Sequence, residues 1–263
     1  MATNTPSNIL GYLPTRWEDC IGNSKIKYTF QGLLKQIRLQ GKRKAGRFFI
    51  HGASRCGKTA LTKLFAQSLL CEQLGKQTLN PCGVCNPCRT DAATLGERGL
   101  EVHLRNGKAH YLPLDATKIT STKELIELLT ELRSYDGTRL VTIDEVHRLQ
   151  HRDMDEQLLK PLEERDFLWI VMSAYPDKLE PMFMKRFVKL GTQSPTESEL
   201  AIYLQDRCEE AGINHEPAAL LRLVDLSECV PGVALQAIDF ASLDPETGLT
   251  LQLVEEFEFE IAC

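Results

Sequence analysis

The chain has 263 residues, of which 43% are apolar and 25% are charged, and its formal net charge is −5. This length and composition predict a globular protein with one medium domain or two smaller ones. They exclude a membrane-spanning chain, since no apolar run approaches the length of a span, and a strong overall attraction to nucleic acid. The N-terminal residues lack the charged and apolar regions of a signal peptide, so we expect a cytoplasmic protein.

Three segments precede the first motif: an arm, a stretch that contains a proline, and a helix. Residues 1–11 predict a flexible arm, and the stretch from Tyr12 to Gly22 contains Pro14, which stops a helix, and two aromatic rings. Such a stretch either is a packing segment with no role in binding or forms one wall of an adenine pocket. From Asn23 to Leu39, apolar residues recur at the spacing of an amphipathic helix.

A phosphate-binding loop is predicted next. Residues 48–50 indicate a short buried strand, and apolar residues from Thr59 to Leu70 recur at helical spacing. The loop between them fits the pattern G-x-x-x-x-G-K-[ST], with Gly52, Ala53, Ser54, Arg55, Cys56, Gly57, Lys58 and Thr59. The glycines let successive backbone N–H groups face one centre, Lys58 would neutralise the β- and γ-phosphates, and Thr59 can bind Mg²⁺. A coincidental glycine-rich turn is the alternative, and the flanking strand and helix disfavour it.

A cluster of cysteines follows the loop helix. Cys71, Cys82, Cys85 and Cys88 can supply four thiolates to one tetrahedral Zn²⁺. An iron–sulfur cluster uses similar ligands, and unmetallated surface thiols are a third interpretation. Four sulfur ligands leave no position for water, so the predicted role is structural rather than catalytic.

The second chemical centre is the apolar run that begins at Arg139 and ends on Asp144 and Glu145. In an open parallel sheet, ligands bind at the carboxyl ends of the strands, so these acids are expected beside the phosphate loop. Asp144 would hold Mg²⁺, largely through water, and Glu145 would polarise the attacking water. An apolar-Asp-Glu sequence alone is a weak signal, but together with the phosphate loop it defines one site.

Further elements surround these motifs. Helices are predicted at Thr122–Tyr135 and at 153–164, and strands at 101–104, 109–112 and 167–172. The last strand ends on Ser173, which either contacts the γ-phosphate or the attacking water, or simply caps the strand. Arg186 either acts as an arginine finger on a neighbouring subunit's phosphoryl group or is a surface cation.

After Pro195 the composition becomes helix-forming, and three helices are predicted at Thr196–Ala211, Glu216–Ser227 and Gly232–Ala241. Thr196 and Glu199 resemble a capping box, and the stretch from Leu249 to Phe259 is compatible with a frayed helix or a strand. The predicted organisation is the arm, an α/β nucleotide-binding domain at 12–192 that includes a zinc knuckle at 71–88, and a helical domain at 193–263.

Together these residues resemble the AAA+ superfamily, most closely its clamp-loader branch and the bacterial DNA polymerase III gamma/tau subunits. The resemblance covers about residues 12–242. It rests on Tyr12-Leu13-Pro14 with Trp17, the phosphate loop, the inserted cysteines, and the runs from Ile143 to Leu149 and from Leu158 to Glu164. It implies a parallel five-stranded α/β domain with flanking helices and a C-terminal helical lid, with ATP and Mg²⁺ bound between them and Tyr12 and Pro14 beside the adenine.

Some residues depart from the family pattern. The arginine-finger motif, Ser-Arg-Cys in the family, reads Lys185-Arg186-Phe187, and Ser173 stands where threonine or asparagine is usual. Leu235 stands where the family places its second-sensor arginine. The chain also ends before a collar domain, so we expect a reduced relative of the clamp loaders.

Three functions follow from these motifs. The first is a DNA- or partner-dependent ATPase in a clamp-loader-like oligomer of AAA+ subunits, acting on DNA or a DNA-bound protein. The second is a nucleotide-gated assembly or recruitment protein of a mobile element or phage-defence system, with slow or no hydrolysis. The third is a non-hydrolysing accessory subunit of a larger complex. The intact Lys58, Thr59 and Glu145 support the first, whereas Leu235 and the altered finger motif favour the second.

Overall fold

The structure is a computed structural model, and it describes residues 14–40, 45–74, 78–89, 109–119, 121–152, 154–164 and 167–257. Tyr12, the predicted arm at 1–11 and the predicted strand at 101–104 lie outside these residues. Strands are observed at β1 Gly46–His51, β2 Ala109–Asp115, β3 Thr138–Asp144, β4 Phe167–Ser173 and β5 Val188–Gly191. The α-helices are α1 Ser24–Leu34, α2 Lys58–Leu70, α3 Asn86–Arg89, α4 Thr122–Arg133, α5 Met154–Glu163, α6 Pro181–Met184, α7 Glu197–Ala211, α8 Pro217–Leu226, α9 Pro231–Ala241 and α10 Leu251–Glu256.

The five strands form one sheet in the order β2-β3-β4-β1-β5. All four strand pairs are parallel. The predicted parallel five-stranded sheet with flanking helices is therefore confirmed. Because the strands are parallel, their carboxyl ends share one edge, where Asp115 is in register with Asp144 and His51 with Ser173.

Two strands differ from the sequence prediction. Strand β5 was missed because it has only four residues and two of them are exposed, which hides any alternating pattern. Strand β2 continues past Leu112 and includes Pro113. Proline is tolerated there because β2 is an edge strand, with β3 as its neighbour in the sheet.

Alternate residues of strands β1 to β4 enter two hydrophobic clusters on opposite faces of the sheet. In β4, Leu168, Ile170 and Met172 belong to the cluster formed with α1 and α2. Phe167, Trp169 and Val171 belong to the cluster formed with α4 and α5. Both faces of the sheet are thus buried. This packing holds in place the strand ends that carry the polar side chains.

The C-terminal helices share a third hydrophobic cluster, to which α7, α8, α9 and α10 contribute. The predicted capping box is present, since Thr196 accepts from the backbone N–H of Glu199 and the Glu199 carboxylate accepts from the backbone N–H of Thr196. The ambiguous stretch after Leu249 forms the short helix α10.

None of the helices in the described ranges is both long enough and apolar enough to cross a membrane.

Candidate functional site

The phosphate loop connects β1 to α2 through left-handed backbone conformations. Gly52, Arg55 and Gly57 have φ angles of 145°, 62° and 84°. A Cβ atom at Gly52 would lie 1.8 Å from Oγ1 of Thr192, so only glycine fits there. Such curled backbone turns successive N–H groups inward, and the N-terminus of α2 adds partial positive charge. The loop therefore has the form of an anion-binding concavity.

Lys58 is the cation of this concavity. It is buried, and its Nζ donates to the carbonyls of Gly52 at 2.8 Å and Ala53 at 2.7 Å. Burial lowers the pKa of Lys58, and the negative charges of Asp144 and Glu145 act in the opposite direction. The ammonium group therefore lies against the loop's own backbone, within the influence of both acids.

Thr59 and Asp144 are brought together as predicted. The Thr59 hydroxyl donates to Oδ2 of Asp144 at 2.8 Å, and Oδ1 of Asp144 accepts from the backbone N–H of Glu145 at 2.9 Å. A hydroxyl and a carboxylate are the oxygen ligands that Mg²⁺ prefers. The pair fits a magnesium ion between the phosphate loop and β3.

Glu145 follows the end of β3 in a left-handed conformation with φ of 50°. Burial raises the pKa of its carboxyl group, the neighbouring Asp144 raises it further, and Lys58 opposes both effects. Its Oε2 lies 3.3 Å from Nδ1 of His147. The arrangement can present a carboxylate base at the carboxyl edge of the sheet.

Ser173 does not line the cavity beside these acids. Its side chain is fully buried, its Oγ lies 2.9 Å from Nδ1 of His147, and it accepts from the backbone N–H of Tyr175 at 2.9 Å. Ser173 is thus connected to Glu145 through His147, a residue that the sequence analysis did not single out.

A cavity of about 510 Å³ lies between the phosphate loop and the C-terminal helices. Tyr203 of α7 and Leu235 of α9 contribute to its lining, as does Pro14 from the segment before α1. The remaining lining residues are Asp19, Cys20, Ile21, Asn23, residues 54–61, Asp144, Glu145, Pro231, Gly232 and Gln236. Pro14, predicted beside the adenine, therefore lines this cavity, while Tyr12 lies outside the described residues.

Asn23 is a further site residue that sequence reasoning missed. It is buried in a left-handed conformation with φ of 51°, and its Nδ2 donates to the carbonyl of Cys56 at 3.0 Å. Its Oδ1 accepts from the backbone N–H of Gln193 at 2.9 Å. Asn23 thereby ties the phosphate loop to the chain that leaves β5. The Gly22-Asn23 pair signals a turn, but contacts so distant in sequence leave no local pattern.

The phosphate loop also touches α9 directly. The backbone N–H of Gly232 donates to the carbonyl of Arg55 at 3.1 Å. A Cβ atom at Gly232 would lie 2.7 Å from Cβ and 2.8 Å from the carbonyl oxygen of Arg55. Cys56 packs with Val230 and Val233 beside this contact. The C-terminal helices therefore rest on the loop itself.

The four predicted cysteine ligands form one cluster, with all sulfur atoms within 4.8 Å of one another. Sulfur separations of 3.3 Å for Cys85 and Cys88, 3.9 Å for Cys82 and Cys88, and 4.0 Å for Cys85 and Cys71 are observed. Four sulfurs around one Zn²⁺, each about 2.3 Å from the metal, would lie about 3.8 Å apart. The cluster could therefore hold one zinc ion.

Two further interactions shape the cysteine cluster. Burial tends to raise the pKa of Cys82, but hydrogen bonds from the backbone N–H groups of Val84 and Cys85 outweigh it and lower the pKa to about 6. The Arg38 guanidinium donates to the carbonyl of Cys71. The thiolate form that binds metals is thus favoured at Cys82.

Arg186 follows α6 and lies outside the set of residues that line the cavity. Its Nη1 is 2.6 Å from Oε1 of Glu163, and a quarter of its side chain is exposed. Arg186 is thus paired with an acid on α5.

Comparisons with known proteins match most of this chain to a family. The family model described as "DNA polymerase III, delta subunit" matches residues 27–209, more than half of the chain. The chain is 28% identical to the DNA polymerase III subunit tau of Escherichia coli over 212 residues, covering 79% of this chain and 31% of that protein. It is 25% identical to the DNA polymerase III subunit gamma of Buchnera aphidicola, covering 80% of this chain and 55% of that protein.

Among solved structures, the RuvB Holliday junction branch migration motor of Thermotoga maritima has a similar fold. The TM-score is 0.63 at 16% sequence identity, and the match covers 94% of this chain and 72% of that chain. This likeness shows that the two chains share a fold, and it shows nothing finer. The chain spans about a third of the length of the tau subunit that it matches, since it covers 31% of that protein.

Proposed function

The chain belongs to the DNA polymerase III delta subunit family, and on that premise we propose that it binds ATP with Mg²⁺ as one subunit of a clamp-loader-like AAA+ oligomer that works on DNA. The observation that carries this proposal is the 2.8 Å hydrogen bond between Thr59 and Asp144. It joins the end of the phosphate loop to the acidic end of β3. A glycine-rich turn without a role in nucleotide binding would not need that pairing.

Each group has a role in this proposal. The loop backbone and the N-terminus of α2 receive the phosphates, and Lys58 leaves the carbonyls of Gly52 and Ala53 to donate to them. Thr59 and Asp144 hold Mg²⁺, which when bound neutralises the charge that develops on the phosphate oxygens. Glu145 accepts the proton of the attacking water.

The C-terminal helices serve as a lid in this account, with an α/β domain at 12–192 and a helical domain at 193–263. Two observations support the proposed role as a lid. Tyr203 and Leu235 face the cavity opposite the phosphate loop, and Gly232 contacts Arg55 across the boundary. Since Leu235 carries no charge toward the phosphates, hydrolysis by this chain is slow or depends on a partner.

The oligomer would complete the site in trans. Arg186 lies away from the cavity of its own chain, and the surface around it exposes Met182 and Val188, which are 67% and 57% exposed. Such a surface suits contact with a neighbouring subunit, whose phosphoryl group would receive the charge of Arg186. The four cysteines would hold one structural zinc within the α/β domain.

The alternative of an assembly protein from a mobile element or phage-defence system is not favoured. The matched family and the relatives named above are DNA polymerase III subunits. Their printed names point to replication, and we extend that role to this chain as part of the proposal.

Nucleotide binding is tested by titrating the purified protein with ATP and Mg²⁺, and by repeating the titration with Lys58→Ala. We expect saturable binding that weakens at least about tenfold in the variant, because the loop loses its cation. Lys25→Ala, at an exposed position of α1, is the matched control and should bind as the wild type does. Equal binding by Lys58→Ala and the wild type would contradict the proposed site.

A further inference from the structure

The buried imidazole of His147 lies between Glu145 and Ser173. His147 is 3% exposed and follows β3 in the turn Val146–Arg152. Its Nδ1 faces two oxygens at once, Oε2 of Glu145 at 3.3 Å and Oγ of Ser173 at 2.9 Å. The Tyr175 ring makes a T-shaped contact with the imidazole, with the ring centroids 5.0 Å apart.

The surroundings leave the imidazole little freedom. The Ser173 hydroxyl, which Nδ1 approaches, is held in turn by the backbone N–H of Tyr175 at the end of β4. A buried ring with one nitrogen fixed against a strand end cannot rotate without losing that contact. His147 is therefore a rigid support, whereas Glu145 has a side chain that is 39% exposed and faces the cavity.

We infer that His147 is a positioning residue for Glu145, which fixes one carboxylate oxygen through Nδ1 and leaves the other to face the attacking water. Ser173 then acts on the reaction through His147 rather than by touching the nucleotide. A flexible glutamate at the mouth of a cavity samples several rotamers, and only some of them place an oxygen where a water can lose its proton. The inference rests on the proposed ATPase function of the same site.

The test uses two substitutions with opposite expectations. His147→Leu removes the nitrogen that faces Glu145, and we expect kcat for ATP to fall by about 10- to 100-fold. The KM for ATP should stay within about twofold, because His147 does not line the cavity. His147→Asn keeps an N–H donor close to the position of Nδ1 and should recover most of the lost kcat.

His110 offers a matched control. It is also a buried histidine at the sheet, its Nε2 lies 2.9 Å from the carbonyl of Asp136, and it stacks on Tyr135 away from the cavity. His110→Leu should lower the thermal unfolding temperature while leaving kcat within about twofold. It thereby separates loss of positioning from general loss of stability.

The outcomes distinguish this inference from the proposed function. Turnover by the wild type that Glu145→Gln abolishes, together with full turnover by His147→Leu, would overturn the inference alone. Equal losses in His147→Leu and His147→Asn with a matching rise in KM would also overturn it, since a purely structural role predicts them. A wild type whose turnover does not depend on Glu145 would overturn the proposed function and the inference together.

Discussion

The backbone N–H of Gly232 donates a 3.1 Å hydrogen bond to the carbonyl of Arg55, so the first turn of α9 rests on the phosphate loop. Arg55 has a left-handed backbone conformation with φ of 62°, which is unfavourable for an arginine and persists because its surroundings hold it. A rearrangement of the loop that moves the carbonyl of Arg55 must therefore also move or release α9. Through this contact, movement of the loop on nucleotide binding can be transmitted to the C-terminal helices without a charged side chain at position 235.

The contact predicts that Gly232→Ala weakens ATP binding. The added Cβ would lie within 2.8 Å of two Arg55 atoms near the backbone, so the loop must shift, at a cost of about 1–3 kcal/mol. Calorimetric titration should show affinity lower by about tenfold or more. Gly32→Ala in α1 is the control, because a Cβ there meets nothing within 4 Å, and it should leave ATP affinity unchanged. Unchanged affinity in Gly232→Ala would show that the contact does not constrain the loop.

Asn23→Ala should lower both stability and ATP affinity. The substitution leaves the carbonyl of Cys56 and the backbone N–H of Gln193 without their Asn23 partners. We expect the free energy of unfolding to fall by about 1–3 kcal/mol in a denaturant titration. Asn214→Ala removes an exposed hydrogen bond to the carbonyl of Glu246, and Asn214 does not line the cavity, so this variant should leave ATP affinity intact. If both variants bind ATP like the wild type, Asn23 does not shape the phosphate loop.

The cysteine cluster predicts about one zinc per chain by elemental analysis. Cys82→Ser should lose the metal and lower the thermal unfolding temperature, because a structural site contributes its binding free energy to the folded state. Cys229→Ser lies outside the cluster and should retain the zinc. Substantially less than one zinc per chain, with free thiols at all four positions, would rule out the zinc site.

Arg186→Ala should leave the ATP affinity of the isolated chain unchanged and reduce turnover in the assembled state. The residue lies outside the cavity of its own chain, and its partly exposed ion pair with Glu163 contributes at most about 1 kcal/mol. Glu163→Gln removes the same ion pair but keeps the arginine, so it should retain turnover. Equal loss of turnover in both variants would assign Arg186 to that ion pair rather than to a neighbouring site.

Much of the fold could be predicted because the strongest patterns are local. The strand and helix around the phosphate loop, the Asp144-Glu145 strand end and the four cysteines were all recognisable from residue type and spacing. The same holds for the capping box at Thr196, whose two hydrogen bonds join residues three apart. These features depend on neighbours in sequence, so the sequence displays them directly.

Other features depend on contacts between distant segments and could not be predicted. Asn23 meets Gln193 across a sequence separation of 170 residues, and Gly232 meets Arg55 only after the C-terminal helices have packed. His147 belongs to the run from Ile143 to Leu149 that resembles the family. Its position between Glu145 and Ser173, however, depends on the pairing of β3 with β4. Strand β5 is too short and too exposed to show an alternation of apolar and polar residues.

The most direct test of the proposed function is the ATPase rate of the purified protein and of Glu145→Gln, each with and without DNA, together with the mass of the protein in ADP and in ATP. We expect turnover that rises with DNA and disappears in the variant, while ATP still drives assembly of both proteins. Absence of ATP turnover under all conditions, with no change in mass between ADP and ATP, would contradict it.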